Sequence, residues 1–390
     1  MLCSLAPVSP GIAHALLLMA LLGAAGVFLP FLPALLVASG LSPTEVAAVL
    51  AAGSVTRIIS GPIAGRLVDA LGDPRRLLAI AAVLAGLTVG GFGLASGLLA
   101  FLLVQVLHSS VQAPLLPIAE MLTIQGARHG LFDYGRVRGL ASLAFIVFAT
   151  LSGVIVGQAG HAPLPWIVAA LFLCAAWAAS ALPPMPRTAR RKGGLREAWR
   201  LPAFRRLLLL SGLIQGSHAL YYSFGTIHWL AEGHSPTVIG LLWSEGVLAE
   251  VLLFLVARRF VDRLGWRGLT MIAAGFGVIR WGITGTSAWL PVLVLAQAMH
   301  AASFACQHLA AMRTLVELVP PHAQGSAQTL HAAIGVGLPM GLFTLAAGPL
   351  YAWAGGSAYW AMAALCAIAL IVAARQVGGS PPADQPLGKS

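Results

Sequence analysis

Two glutamates interrupt the apolar stretch WSEGVLAEVLLF, which runs from Trp243 to Phe254. Glu245 and Glu250 are five residues apart, so on one helix their side chains point about 140° away from each other. An acid in an apolar helix favours its neutral form unless a cation approaches it, which suits it to bind and release a proton. The spacing therefore predicts two separate acids with different surroundings.

The two acids share their helix faces with different neighbours. Glu250 stands on one face with Trp243 and Gly246, and an aromatic ring, a gap and an acid are typical of a cavity wall. Glu245 shares its face with three leucines, Leu241, Leu248 and Leu252, a pattern that predicts a contact between helices. We therefore expect Glu250 to carry a proton, and Glu245 to need a partner or to stay neutral.

Neighbouring apolar stretches supply groups that could act with Glu250. Arg280 is predicted to lie at a similar depth in the next stretch, and arginine pairs well with carboxylates. If a carboxylate substrate competes for Arg280, the loss of that neighbouring cation favours the protonated form of Glu250. Substrate and proton then move together. Single histidines can instead bond a backbone carbonyl, and Arg57 can instead be a structural partner of Glu120. The further candidates are Arg57, Glu120, His108, His218, His228, His300, His308, His331, Tyr222, Trp229 and Trp281.

The composition places these residues in a membrane. The 390 residues are 58% hydrophobic and 9% charged, with a mean hydropathy of +0.88, whereas soluble domains carry about 25% charged residues. The chain is therefore predicted to be an all-α integral membrane protein. The four cysteines are scattered singly, so neither a disulfide framework nor a zinc site is expected.

Apolar windows of about 20 residues predict twelve transmembrane helices. Arginines cluster in the loops after even-numbered spans, and the loops after odd-numbered spans contain no Arg or Lys. The net charge of +11 therefore indicates a topology with both termini cytoplasmic rather than nucleic-acid binding. The windows are 11–38, 43–66, 75–97, 98–127, 136–160, 164–182, 204–231, 236–261, 268–287, 289–316, 325–353 and 356–375.

The sequence repeats itself at an offset of 192 to 193 residues. GLSPT at 40–44 recurs as GHSPT at 233–237, and QVLH at 105–108 recurs as QAMH at 297–300. We predict two pseudo-symmetric six-helix halves, 1–182 and 204–375, joined by a basic cytoplasmic linker, 183–203, and followed by a disordered cytoplasmic tail, 376–390. Two parallel halves with a site between them are typical of the major facilitator fold. In this repeat Arg57 aligns with Glu250, so that position is charged in both halves.

The loop after span 2, GRLVDALGDPRR at 65–76, resembles the cytoplasmic signature of the major facilitator superfamily, and DRLGWR at 262–267 is a degenerate copy. The resemblance implies a gating latch formed by Gly65, Asp69, Gly72, Arg75, Arg76, Asp262 and Gly265. The sequence contains no phosphate-binding loop. We therefore expect a proton gradient to be the driving force, with no cofactor and no metal.

Longer segments resemble the bacterial 3-phenylpropionic acid transporter family, a branch of that superfamily similar in style to lactose– and nucleoside–proton symporters. They are QGSHALYY at 215–222, GLLWSEGVLAEV at 240–251, RWG at 280–282, HLAAMR at 308–313, FLPF at 28–31 and DYGRVR at 133–138. The resemblance covers nearly the whole chain. It implies proton-coupled uptake of phenylpropionate-like aromatic monocarboxylates by alternating access across the bacterial inner membrane, by a monomer whose partners are the acid, protons and the lipid bilayer.

For such a substrate, the side-chain chemistry suggests roles for individual residues. Arg280 or Arg57 would pair with the substrate carboxylate, and the aromatic ring would pack against side chains from the second half, namely Tyr222, Trp229, Trp243 and Trp281. His218 is a further candidate for substrate binding. Glu250 would carry the proton, coupled through His300 or His308. Glu120, which falls where the family has an acid, would also take part in proton coupling. The sequence departs from the family pattern at Glu245, where an apolar residue is expected, and at His228, where an aromatic residue is expected.

Three alternatives remain open at the level of sequence. A sugar or nucleoside symporter of the same fold would need many hydrogen-bonding side chains, and the chain contains no asparagine. A proton-coupled exporter of drugs or metabolites would use Glu245 and Glu250 to bind cations. A membrane enzyme would need a catalytic cluster, and neither metal-ligand spacing nor a nucleophile motif is found, so we do not expect an enzyme.

Overall fold

The computed structural model describes residues 9–184, 195–320 and 322–375, except for side chains at 65, 68–71, 195 and 257–262. Helices make up nearly all of these ranges, and no strand occurs within them. The prediction of an all-α protein is confirmed. The predicted tail, 376–390, and residues 185–194 of the predicted linker lie outside the described residues.

The first half of the chain folds into seven helices. The bounds are α1 (Pro10–Ala38), α2 (Pro43–Leu71), α3 (Pro74–Gly90), α4 (Gly97–Gln112), α5 (Leu115–Arg128), α6 (Tyr134–Ala159) and α7 (Leu164–Ser180). A short 3₁₀ turn, Gly91–Gly93, extends α3. Within this half α1 packs against α6 and α7, α3 against α7, and α2 against α4.

The second half is more interrupted. Its helices are α8 (Leu195–Arg200), α9 (Pro202–Gly216), α10 (Ala219–Ala231), α11 (Pro236–Thr286), α12 (Leu290–Ala298), α13 (Cys306–Leu318), α14 (Gln324–Leu330), α15 (Leu338–Ala354) and α16 (Tyr359–Ala374). Two π-helical segments, Ala301–Ala305 and His331–Gly337, join α12 to α13 and α14 to α15. Helix α11 contains 51 residues but is broken at Gly265, whose φ of 61° is not helical.

Eight helical runs in the described part of the chain are long and apolar enough to cross a membrane. Each of the twelve predicted windows contains helix, but length and hydropathy do not confirm the count of twelve. The reason is local. Helix α7 has only 17 residues, short breaks divide other spans, and the eighth and ninth windows are merged in α11 across its kink at Gly265.

The repeated sequence builds the same local structure twice. Gly40 and Gly233, the first residues of the repeated segment, have φ values of 91° and 87°, a region that favours glycine because it has no Cβ. Ser42 and Ser235, two residues after these glycines, make hydrogen bonds with the first turn of α2 and of α11. A proline then occupies the start of the helix, where its missing N–H costs nothing.

The two halves touch closely at the end of the molecule where α2 and α11 begin. Glycines allow this, since Gly153 of α6 lies against the carbonyl of Pro236, and a Cβ on Gly240 would lie 2.5 Å from the Ala149 oxygen. On the other side of the molecule, a Cβ on Gly348 of α15 would lie 2.9 Å from the Pro43 oxygen. The pairs α6–α11 and α2–α15 therefore close this end.

A cavity of about 1320 Å³ separates the halves away from that closed end. Its wall comes from α1, α2, α4 and α5 on one side and from α10, α14 and α15 on the other. It reaches Gly72 and Pro74, at the turn between α2 and α3. The cavity therefore extends towards the ends of the helices that the arginine distribution predicts to be cytoplasmic.

The same turn carries part of the predicted latch. Arg75 bonds Asp73 at 3.0 Å and the Leu182 carbonyl at 2.6 Å, and the hydrogen bond from Arg75 lowers the pKa of Asp73 below its usual value. Arg76 also approaches Asp73, at 3.6 Å. These contacts tie the start of α3 to the end of α7 within one half. The side chains of Asp69 and Asp262, and the surroundings of Gly65, lie outside the described residues, so a gating role stays a prediction.

We expect Gly240→Ala to lower the melting temperature of the purified protein in detergent, because overpacking of a tight contact costs about 1–3 kcal/mol. Gly275→Ala, in the same helix, is the matched control, since a Cβ there would meet nothing within 4 Å and alanine favours helix. Tryptophan fluorescence during heating measures the melting temperatures of both variants. Equal melting temperatures would contradict the proposed close contact.

Candidate functional site

Arg280 is fully buried and lies at the centre of a polar cluster in the second half. Its Nη1 donates to His300 Nδ1 at 2.9 Å and to Ser303 Oγ at 3.3 Å, and its Nη2 donates to Gln297 Oε1 at 3.0 Å. Helix α11 supplies the arginine. Its acceptors come from α12, from the π segment that follows, and from His300 between the two. A buried cation needs such acceptors because it has lost its water.

His300 connects this cation to Glu250. Because Arg280 donates to Nδ1, the ring hydrogen of a neutral His300 lies on Nε2, which is 2.8 Å from Glu250 Oε1. The result is one hydrogen-bonded chain, Arg280–His300–Glu250. Glu250 is its outer end, since 20% of that side chain is exposed against 6% for His300. A proton arriving at Glu250 would remove the negative charge that balances Arg280.

Aromatic rings enclose the arginine. The guanidinium carbon lies 4.2 Å from the ring centre of Trp281 and 4.8 Å from that of Tyr221, distances typical of cation–π contacts. Tyr221 stacks on Trp243 at 4.5 Å, and Trp243 donates to Thr226. These rings screen the cation from solvent and fix its position.

The predicted aromatic contacts for a substrate divide into two groups. Tyr222 lines the cavity. His218, Trp229, Trp243 and Trp281 are buried around the arginine cluster and do not form part of the cavity wall as the described residues outline it. Their role as substrate contacts stays a prediction.

Arg280, His300 and Glu250 are not among the described residues that outline the cavity, whereas Arg57 lines it from the first half. Its side chain is exposed to that space, and its contact with Ser54 Oγ, at 3.4 Å, is long. Arg57 and Glu250 occupy equivalent positions of the repeat, so they lie at similar depths in opposite halves. A cation with free donors in a large cavity is suited to an anionic ligand.

Glu120 pairs with Arg138 rather than with Arg57, which is one alternative at the level of sequence. Arg138 Nε lies 3.1 Å from Glu120 Oε1, and the Tyr134 hydroxyl donates to Oε2 at 2.9 Å, whereas no bond to Arg57 is found within the described ranges. The charge of Arg138 also acts on Glu250 in the other half. Arg138 was missed as a site residue, although the DYGRVR motif contains it.

Two further predictions concern α11 and α13. His308 acts electrostatically on Glu250 but makes no direct bond to it in the described structure. The expectation that Glu245 contacts another helix is wrong, because Leu241, Leu248 and Leu252 on its face are all exposed. Glu245 is half-buried on this outer face, and no partner for it occurs among the side chains described. The apolar face reflects lipid rather than protein.

Comparison with known proteins places the chain among transporters. The sequence profile of the MFS_1 like family matches residues 13–362. A protein named "Probable 3-phenylpropionic acid transporter" from Escherichia coli (strain K12) is 32% identical over 351 residues, which cover 87% of this chain and 90% of that protein. The "Maltose permease" of Geobacillus stearothermophilus is 25% identical over 323 residues, which cover 82% of each chain.

A solved structure shares the fold. The crystal structure of the nucleoside transporter NupG superimposes with a TM-score of 0.82 and covers 95% of this chain and 98% of its own. The identity is 16%, so this likeness concerns the fold alone. It confirms the prediction of a major facilitator fold.

We expect Arg280→Met to destabilise the protein strongly, because Glu250 then keeps a charge without its balancing cation. The double variant Arg280→Met/Glu250→Gln should lose less stability than Arg280→Met, since the uncompensated charge is gone. Thermal unfolding of the two single variants, the double variant and the unmodified protein gives a coupling energy, expected to be about 1–3 kcal/mol. Additive effects would show that the chain through His300 does not link the two residues.

Proposed function

The chain belongs to the MFS_1-like family and is a major facilitator transporter rather than an enzyme, and from this premise we propose that it takes up aromatic monocarboxylates with protons. The similarity to a probable 3-phenylpropionic acid transporter supports this substrate class. The bacterial inner membrane, with both termini cytoplasmic, is the proposed location, supported by the arginine distribution.

One observation carries the proton part of the proposal, the hydrogen-bonded chain from buried Arg280 through His300 to Glu250. An exposed carboxylate would exchange protons freely with water, and the protein would have little influence on its protonation state. Glu250 is instead mostly enclosed, and its charge is balanced by Arg280 and Arg138. Its protonation state therefore depends on other charges that enter the cavity.

The substrate part rests on Arg57, the cation that lines the cavity. Arg280 already satisfies three acceptors, so we assign the carboxylate to Arg57 in this conformation, with Tyr222 against the ring. A bound carboxylate brings a negative charge towards Glu250, and like charges in a partly dry cavity repel. Glu250 then binds a proton, and substrate and proton cross together.

Alternating access completes the proposal. The close contacts of α6–α11 and α2–α15 shut one end while the cavity reaches the other. Moving one half against the other would open the first end and close the second around the same central site.

We expect the unmodified protein in proteoliposomes to accumulate labelled 3-phenylpropionate when the outside is more acidic than the inside. Glu250→Gln should abolish this accumulation but keep exchange of internal for external substrate, because the amide cannot release a proton. Glu245→Gln is the matched control and should accumulate normally, since that acid lies on the outer face. Normal gradient-driven accumulation by Glu250→Gln would show that the proton role is wrong.

A second candidate, a sugar or nucleoside symporter, is favoured by one observation. Four glutamine side chains, Gln105, Gln112, Gln125 and Gln328, belong to the cavity wall, and amides suit polyhydroxylated ligands. Accumulation of labelled maltose or uridine in the same vesicles, with no accumulation of the aromatic acid, would favour this candidate.

A further inference from the structure

The first half contains a copy of the Arg280 cluster without its charge. Gln297 and His300 correspond to Gln105 and His108, 192 residues earlier, and at the same offset Arg280 corresponds to Thr88. Thr88 Oγ1 lies 3.2 Å from His108 Nδ1, just as Arg280 contacts His300 Nδ1. Threonine therefore takes the place of the arginine.

Packing supports this alignment of α3 with the end of α11. The pairs Gly90/Gly282 and Gly93/Gly285 also share the offset of 192 residues. A Cβ on Gly90 or Gly93 would lie 3.2–3.3 Å from Trp166. In the second half, a Cβ on Gly282 or Gly285 would lie 3.5 Å or 3.0 Å from Trp360. The two stretches are built alike, so Thr88 and Arg280 are true counterparts.

The exchange of arginine for threonine changes which ring nitrogen of the histidine carries the hydrogen. Thr88 Oγ1 donates to the Leu84 carbonyl at 2.8 Å, its shortest hydrogen bond, so the same oxygen accepts from His108 Nδ1. The hydrogen of a neutral His108 then lies on Nδ1, and Nε2 keeps a free lone pair. In His300 the assignment is opposite, because Nδ1 accepts from Arg280.

That lone pair has no partner in the part of the chain that the structure describes. His108 Nε2 and Gln105 Oε1 are both buried and make no hydrogen bond there, and their side chains are only 3% and 6% exposed. Buried polar atoms are nearly always bonded. Both residues belong to the cavity wall together with Arg57, whose charge acts on His108.

Aromatic rings surround this acceptor. Phe28, Phe92 and Phe172 present edge-to-face contacts to the His108 ring at centroid distances of 5.7–6.1 Å. A buried acceptor packed among aromatic rings discriminates strongly between ligands with and without a matching donor, because leaving the acceptor unpaired is costly.

We propose that His108 Nε2, with Gln105 beside it, accepts a hydrogen bond from a hydroxyl group of the substrate whose carboxylate is held by Arg57. The preferred substrate is then a hydroxylated aromatic monocarboxylate. This inference rests on the proposed carboxylate function. A trapped water molecule is the alternative donor, and it predicts no preference for a hydroxyl group.

Calorimetric titration of the purified protein tests the preference. The ligands are 3-phenylpropionate, its derivatives with a hydroxyl at each ring position, and the corresponding methoxy acids, which have the oxygen but no donor. We expect one hydroxyl isomer to bind about 10-fold more tightly than the parent acid, the gain of one well-placed hydrogen bond, and its methoxy counterpart to gain nothing.

Variants locate the effect. His108→Phe should remove the preference, so that the hydroxyl isomer and the parent acid bind with equal affinity, and His108→Gln, which restores an acceptor, should recover part of the preference. His14→Phe is the matched control. His14 is also buried in the first half, bonds a threonine through Nδ1 and has an unpartnered Nε2, but it is not one of the residues that outline the cavity.

The outcomes separate this inference from the proposed function. Equal binding of all the acids, or a hydroxyl preference that His108→Phe retains, would overturn the hydroxyl site and leave the carboxylate function standing. Absence of binding by every acid would overturn both. Loss of the preference in His14→Phe as well as in His108→Phe would show a general effect of the fold and would also overturn the assignment to His108.

Discussion

A single buried cation organises the second half of the protein. The guanidinium of Arg280 cannot stay in an apolar bundle without acceptors, and its requirements determine the side chains around it. Gln297, His300 and Ser303 accept hydrogen bonds from its Nη1 and Nη2, and Trp281 and Tyr221 cover its faces. Glu250 supplies the compensating negative charge through His300. The position of Glu250 at the end of this hydrogen-bonded chain follows from the need for charge balance.

The two halves place different residues at equivalent positions of the repeat. Equivalent helices carry equivalent glutamine and histidine residues, but arginine in one half is threonine in the other. One cluster therefore holds a buried cation bonded to its glutamine and histidine. The other is neutral, belongs to the cavity wall and leaves His108 Nε2 and Gln105 Oε1 without a hydrogen bond among the described residues. A repeated scaffold can thus hold a charged cluster in one half and a neutral cluster at the equivalent positions of the other half.

Much of this arrangement could be predicted from the sequence. Hydropathy identified the membrane helices, and the repeat predicted paired turns such as those at Gly40 and Gly233. Helical spacing separated Glu250 from Glu245, yet it could not show that the face of Glu245 points outwards, because leucine suits lipid and protein equally. Nor could it show that Glu120 bonds Arg138 rather than Arg57, since such pairs depend on how separate helices meet.

The interruptions in the second half have a mechanical consequence. A π segment, such as Ala301–Ala305 directly after His300, contains about one residue more per turn than an α-helix. Shifting that extra residue along the helix re-aims the side chains it passes by about 100° while the distant ends stay seated. A shift of this kind would have discrete positions, so it would turn the residues beyond it by a defined angle.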